Sequence, residues 1–517
     1  MPTVTIAAGS QIAADAGAAI ADQGGNAVDA ALAATLVSMC TDLGVMAPGA
    51  SGFIALWPPD QAPVVIDAYA EMPGRGLPSV HLGQGAQEVF FDYGGRMSNL
   101  VGYGSVATPG IFAGLSLAAT GYGRLPWSQV LAPAIHWVEQ GFPLNGGAAE
   151  YLGYTHEAIF SWHPQSYRTL HHPDGTLLRQ GETVHVPGLA HSLRLMAEQG
   201  VEAFYRGPIG QRIVAEIQAN HGLLTAEDLA AYVAIPRSPL ICQVGDWQIA
   251  TNPAPAIGGA CMAAMLLLLE QAPETDWPKP EWNAAAVRQW VEVQRAVLTY
   301  RSHHLDGAAD LPQAVSQLLD LSHQGNRQAL LKSPSTIHIS TVDTDGLACS
   351  ITASAGYGSG VMVEGTGLWL NNSLGEMDLH PRGLHALSPG TRLVSNMAPT
   401  LARRADGTVM AIGSPGASRI TTAVAQALWH VIKRGVDLPE AIATPRLHLE
   451  VFEAALRLAV EPGVPMPPDL DLPLATFPTL SMYFGGVQAA LWQPHQGLTA
   501  AADARRTGAV AQGSDRG

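Results

Sequence analysis

Apolar residues recur at helical spacing through residues 10–40, an alanine-rich stretch interrupted by Gly24-Gly25-Asn26, and this predicts two helices. A glycine-rich passage from Gly49 to Ala55 leads into FIALW, and PVVIDAY at 63–69 has the alternation of its hairpin partner. From about 110 to 235 the pattern is mostly helical. WSQVLAPAIHWVEQG and GLAHSLRLMAEQG are amphipathic, and each ends on a glycine suited to a C-cap. In LLTAEDLAAY, Thr225 is an N-cap with Asp228 three residues on, close to a capping box.

The stretch ICQVGDWQIATNP is β-like, PAPAIGG is a turn, and helices are predicted over 258–270 and 281–305. Residues 306–335 are polar and are expected to form an irregular, exposed segment. Beyond them TIHISTV and LACSITAS alternate and are joined at DTDG, a strong hairpin signal. GLWLNN, TRLVSN and TVMAIGS are predicted strands, and a helix is predicted over 418–433. Strands gather toward both ends of the chain with helices between them. Two antiparallel sheets packed between helical layers accommodate that order, an α+β class.

Composition narrows the picture. The 517 residues are 47% apolar and 14% charged, enough for a large core and unlike a disordered chain. A net charge of −16 argues against nucleic-acid or anionic-membrane partners, which want a basic face. Four scattered cysteines, Cys40, Cys242, Cys261 and Cys349, form neither a zinc motif nor a disulfide framework and are expected to be buried thiols. The amino terminus has no basic region followed by a long apolar run, so no signal peptide is expected, and the apolar run Ala260–Leu269 is too short to span a bilayer. A soluble, cytoplasmic protein is the expectation.

Common catalytic templates are missing: there is no G-x-S-x-G, Walker A, H-E-x-x-H, or G-x-G-x-x-G opening a helix. His171-His172 and His303-His304 sit in polar surroundings and are expected to be solvated rather than metal ligands; no metal and no cofactor is expected. What remains is Thr336, where an exposed segment runs abruptly into a strand behind Pro334-Ser335. Thr is a strand former, which explains it blandly. An amide-cleaving enzyme can also use a Thr hydroxyl with its own α-amine as base, since an amino terminus titrates near pH 8. That chemistry requires the Ser335–Thr336 bond to be cut first.

PSTIHISTVD (334–343) resembles the maturation site of the γ-glutamyltransferase family, in which a Thr-x-His-x-Ser run begins the small subunit. TGLWLNN, SNMAPTL, GSPGASRI, TPRLH, FGGVQAA and ADARRTG match in order after it; DQGGNAVDAA, the Glu71-Met72 pair, ATPGIFAGLSLA and GLLTAEDLAAY match before it. The resemblance implies an N-terminal-nucleophile hydrolase with a four-layer αββα sandwich. It implies self-cleavage into a large piece, 1–335, and a small one, 336–517, which stay associated in one shared domain. Thr336 is then the nucleophile, Ser354 its orienting hydroxyl, and the N–H groups of Gly416 and Ala417 the oxyanion hole, where the family usually has two glycines. His338 and Ser340 share the strand face of Thr336; His338 is expected to be structural. Thr352 is a neighbour of the site or simply packing.

The recognition set departs from the family's pattern. The family's carboxylate-binding arginine falls at Ser79, leaving Arg75 as the nearest candidate. Ser395 matches the first of two carboxylate-binding serines, Asn396 replaces the second, Glu376 lies at the acid for the α-amine, and Ser373 replaces its amide-bearing neighbour. The segment 378–392 is too short for the family's lid, so an open mouth is expected. The resemblance implies a small-molecule γ-glutamyl amide substrate, released to water or an amine. The alternatives are an acylase acting on another acid amide and a binding protein without turnover.

Overall fold

In the computed structural model, which describes residues 3–81, 83–92, 96–272, 281–324, 336–376, 379, 383–452 and 455–514, two antiparallel sheets lie face to face. The first runs in spatial order Ala509–Ser514, Thr3–Ala8, Ile337–Asp343, Ala348–Ser354, Ser51–Trp57, Val64–Ala68, Ile235–Arg237. The second runs Gly497–Ala502, Gln488–Gln493, Val409–Gly413, Thr400–Arg404, Trp247–Thr251, Leu240–Val244. Each sheet draws strands from both sides of position 336, so neither half of the chain has a complete sheet without the other.

Strand alternation decides which core each residue joins. Along Ile337–Asp343, Ile337 and Ile339 face the helices Gln11–Asp22 and Ala27–Thr41, with Ile6, Ile54 and Ile351 beside them. Val342 faces the other way, into an inter-sheet core with Phe53, Tyr69, Leu401 and Val409. Behind the second sheet, Ile249, Met410 and Ile412 pack on helices Gly258–Glu270 and Arg419–Ile432. The layers are therefore helix, sheet, sheet, helix.

The sequence signals for helix ends hold. Asn26 and Thr225 each form a reciprocal capping box, with Asp29 and Asp228, and Gly141 and Gly200 close their helices at positive φ. All four cysteines are buried and free. Among the described residues no helix is long and apolar enough to cross a membrane, and no cluster of three or more metal-ligating side chains occurs.

Two expectations are corrected. Within 306–335, Leu311–His323 is a helix rather than irregular chain: Asp310 caps it, and Ala314, Val315, Leu318 and Ser322 bury one stripe. The polar residues between hid that stripe. Residues 325–335, including Pro334 and Ser335, lie outside the described residues. TRLVSN is extended but forms only isolated bridges, at Arg392 to Glu71 and at Ser395 to Ala256; the strand begins later, at Thr400.

Candidate active site

Thr336 is buried, with 1% of its surface exposed, one residue ahead of strand Ile337–Asp343. The strand's own alternation sends Thr336, His338 and Ser340 toward the second sheet, where hydroxyls and one imidazole replace hydrocarbon. Ser340 Oγ donates to the Gln488 carbonyl at 3.1 Å and so accepts from His338 Nε2–H at 2.8 Å. That leaves His338 Nδ1 to accept the Thr352 hydroxyl, also at 2.8 Å. Ser350 adds a second tie between the sheets, donating to the Ile412 carbonyl and accepting the Thr400 N–H, each at 3.2 Å.

Both ring nitrogens of His338 are thus engaged. Burial drives its pKa down to about 3, so the ring is neutral across the physiological range and acts as a strut. The facing glycine shows how close the strut lies: a Cβ on Gly413 would fall 2.3 Å from the His338 ring.

Register places Ser354 beside Thr336. Ile337 pairs with Ala353, and Ser354 with Ser51, so Thr336 and Ser354 are the next positions along adjacent strands. Ser354 Oγ accepts the Gly356 N–H at 2.9 Å. Gly356, at φ 63°, leaves no room for a side chain, because a Cβ would fall 2.2 Å from Asn372 Oδ1 and 2.7 Å from Glu376 Oε1. Glu376 and Asn372 therefore both lie against Gly356, two positions after Ser354 in the chain. Ser373 anchors the same turn, its N–H donating to Asn371 Oδ1 at 3.0 Å.

Gly416 and Ala417 lie in the turn between strand Val409–Gly413 and helix Arg419–Ile432, at the helix end whose N–H groups have no intrahelical acceptor. Pro415, the preceding residue, lines a cavity of about 30 Å³ together with Thr336. A Cβ on Gly416 would meet the Gly485 Cα at 2.6 Å, so the turn is tight. Ala417 has φ 67°, left-handed backbone that an alanine adopts only under strain.

The cavity also brings in residues that sequence reasoning did not single out. Asp42, Asn145 and Gln488 line it with Thr336 and His338. Asn145 donates to Asp42 at 2.8 Å, and burial pushes the Asp42 carboxyl up to about 6. Gln488 is fully buried, and its amide has no hydrogen-bond partner among the described residues. Gln488 lies inside the quoted FGGVQAA stretch, but nothing in its spacing marked it; Asp42 carried no signal at all.

The recognition residues divide. Ser395 is buried and accepts the Met397 N–H at 3.2 Å. Burial raises the pKa of the nearby Tyr69 hydroxyl, and the charge of Glu376 adds to that shift. Asn396 is buried next to Ser395, its carbonyl pressed against Gly258. Arg75 is drawn elsewhere. Its guanidinium is 3.0 Å from Glu71 and 3.4 Å from Asp228, whose carboxylate also takes the N–H groups of Gly74 and Arg75. Glu71 is shared with Arg392, which also reaches Asp67 and lies over the Tyr232 ring. The double histidines stay apart from all of this: His171 faces His156, His172 pairs with Glu182, and His303 with the Thr299 carbonyl.

The sequence profile described as Gamma-glutamyltranspeptidase matches residues 13–513. The glutathione hydrolase proenzyme of Escherichia coli (strain K12) is 29% identical over 478 residues, covering 86% of this chain and 80% of that protein. The acylase ACY 1 proenzyme of Pseudomonas sp. (strain V22) is 28% identical over 480 residues, covering 88% of this chain and 84% of that protein. Among solved structures, cephalosporin acylase from Bacillus halodurans superposes with a TM-score of 0.83 at 23% identity, over 99% of this chain and 96% of that one.

Proposed function

The chain belongs to the γ-glutamyltranspeptidase family of N-terminal-nucleophile enzymes, and from that premise we propose that it cuts itself before Thr336 and then cleaves γ-glutamyl amides of the glutathione type. Family membership carries hydrolase or acyltransferase chemistry of the γ-glutamyltranspeptidase and acylase kind. The γ-glutamyl substrate is the finer reading. The observation that carries it is Glu376, a buried carboxylate held against Gly356 beside the nucleophile's neighbour, Ser354. A γ-glutamyl group presents an α-ammonium, and such a carboxylate is its natural partner.

In this reading the exposed α-amine of the mature Thr336 takes the proton of its own hydroxyl as Oγ bonds to the amide carbon. The carbonyl oxygen becomes an oxyanion facing the Gly416 and Ala417 N–H groups, donors worth about 3 kcal/mol each in such a transition state. The amine returns the proton to the leaving nitrogen as the C–N bond breaks, leaving an ester on Thr336. Water or a second amine attacks that ester, and Oγ recovers its proton. Ser354 orients the hydroxyl, and Ser395, Asn396 and Ser373 complete the acyl pocket.

A second reading is supported by Arg75. Its charge is met by Glu71 and Asp228, which weakens the case for a cationic carboxylate clamp and favours an acylase for another acid amide. The test is intact mass beside turnover of γ-glutamyl-p-nitroanilide, for wild type and Thr336→Ala. Wild type should yield fragments beginning at Met1 and Thr336 and release nitroaniline; the variant should stay one inactive chain. Cleaved but inactive wild type would move the assignment to the acylase, and uncut wild type would remove the nucleophile.

A further inference from the structure

Self-cleavage poses a problem that turnover does not. Before the cut, the nitrogen of Thr336 belongs to a peptide bond, so the α-amine that serves the mature enzyme as base does not yet exist. Another group must take the proton of the Thr336 hydroxyl.

The cavity beside Thr336 narrows the choice. It measures about 30 Å³, and the ionisable side chains that line it are Asp42, His338 and Arg506. An arginine has no acceptor to offer. His338 has both ring nitrogens engaged, by Ser340 and Thr352, and burial makes it a weak base. Asp42 remains. It is 5% exposed and is met by neutral donors, the Ser38 hydroxyl on one oxygen and Asn145 Nδ2 at 2.8 Å on the other. Each carboxylate oxygen keeps a further lone pair.

Gln488 lines the same cavity with an amide that nothing satisfies. Along Gln488–Gln493, Ala489 packs into the outer helical core and Ala490 into the inter-sheet core, so alternation puts Gln488 on the inter-sheet face. It is fully buried, and neither Nε2 nor Oε1 has a partner among the described residues. The cavity has room for about one or two waters, and a water there would find its polar partners in the Gln488 amide, Asp42 and Thr336.

We infer that Asp42 is the proton acceptor of self-cleavage, with a water held by the Gln488 amide carrying the Thr336 hydroxyl proton to its carboxylate. The inference rests on the self-cleavage reading and names the base that the uncut chain uses. Thr336 Oγ bonds to the Ser335 carbonyl carbon as its proton passes to the water and a proton of the water passes to Asp42. Asp42 returns a proton by the same route to the Thr336 nitrogen as the C–N bond breaks, which leaves Ser335 esterified to Oγ. A water hydrolyses that ester, releasing the Ser335 carboxylic acid, the Thr336 hydroxyl and the free α-amine.

The carboxyl has a strength suited to this step. Burial pushes it up to about 6, so at pH 7 it is ionised and more basic than an ordinary carboxylate. The neighbouring Cys40 thiol is pushed up to about 12 and stays protonated, and His338 stays neutral. A cleavage rate that rises through pH 6 therefore reports Asp42.

The test uses full-length chain from a short pulse of cell-free synthesis, chased at pH 5 to 8, with the cut followed by intact mass. Wild type should cut faster as pH rises through 6 and level off above it. Asp42→Asn keeps the shape of the side chain, and its melting temperature checks that it folds. It should cut at least a hundredfold more slowly at pH 7.5, the low end of what a positioned base supplies, and should lose the rise through pH 6. Gln488→Leu should cut roughly tenfold more slowly and keep that rise. A wild-type rate flat from pH 5 to 8 would overturn the inference without recourse to any variant. So would Asp42→Asn cutting at the wild-type rate or keeping the rise, and either result would leave the self-cleavage reading standing. A wild type that never cuts, or a Thr336→Ala chain that cuts at the same bond, would end both.

Discussion

Two regions meet at Thr336, and they are built on opposite terms. Behind it, His338, Ser340, Thr352 and Ser350 form a neutral ladder in which each polar atom has a partner and the second sheet supplies the last acceptors. The second region holds the buried Glu376, Ser395 and Asn396, while Arg75 and Arg392 are committed to Glu71, Asp67 and Asp228. The ladder is a completed network, and completed networks rigidify. In the proposed reading the second set is the one that meets the substrate's acyl group. The difference teaches that the attacking machinery and acyl selection can be altered separately: changes in the ladder should act on kcat and folding, and changes in the recognition group on KM.

The largest break should come from Gly413→Ala. The new Cβ would sit within 2.7 Å of three ring atoms of His338, and the ring cannot swing away without losing Thr352 or Ser340. Overpacking a fixed site costs about 1–3 kcal/mol, and we expect the upper end. Chemical denaturation should show that loss, and kcat should fall with KM nearly constant. A stable, fully active variant would show that the ladder is not a strut for Thr336.

Acid titration sharpens the same contrast. His338 has a folded pKa near 3, below its unfolded value of about 6.5. The unfolded chain therefore binds the proton first. The contribution is fully present above pH 6.5 and is lost as pH falls from there toward 3, on the order of a few kcal/mol. Asp42, raised to about 6 at the same cavity, has the opposite sign: its burial destabilises the fold above pH 6, and the penalty is relieved as pH falls from 6 toward 4. His338→Gln should flatten the acid limb of melting temperature against pH relative to wild type, and Asp42→Asn should steepen it. Parallel curves for all three would mean that neither group changes protonation on unfolding.

Much of this frame was legible from periodicity, because alternation and caps are local. Gly24-Gly25-Asn26, the DTDG turn and the capping box at Thr225 each declare themselves within a few residues, and all appear where expected. Thr336 became more than a strand residue only through the resemblance, since spacing alone cannot distinguish a nucleophile from a β-branched strand former. What stayed hidden depends on register across distant strands. Nothing near Ser51 in the chain announces that it pairs with Ser354, 303 positions away by numbering. Arg75 looked like a free cation because its partner Asp228 is supplied by a helix start 153 residues later.

The smallest expected effect is the most pointed test of the oxyanion turn. Ala417 holds φ 67° in a buried turn, where a Cβ costs about 1–2 kcal/mol relative to a right-handed conformation. Ala417→Gly removes that strain but gives the unfolded chain more freedom, at about 0.4–1 kcal/mol. The two terms oppose each other, leaving a net gain of between about 0 and 1.6 kcal/mol. The N–H that the proposed mechanism aims at the oxyanion is untouched, so kcat and KM should both stay at wild-type values in the anilide assay. If kcat instead falls tenfold or more, the strained alanine is what aims the donor. The turn would then belong with the rigid ladder rather than merely beside it.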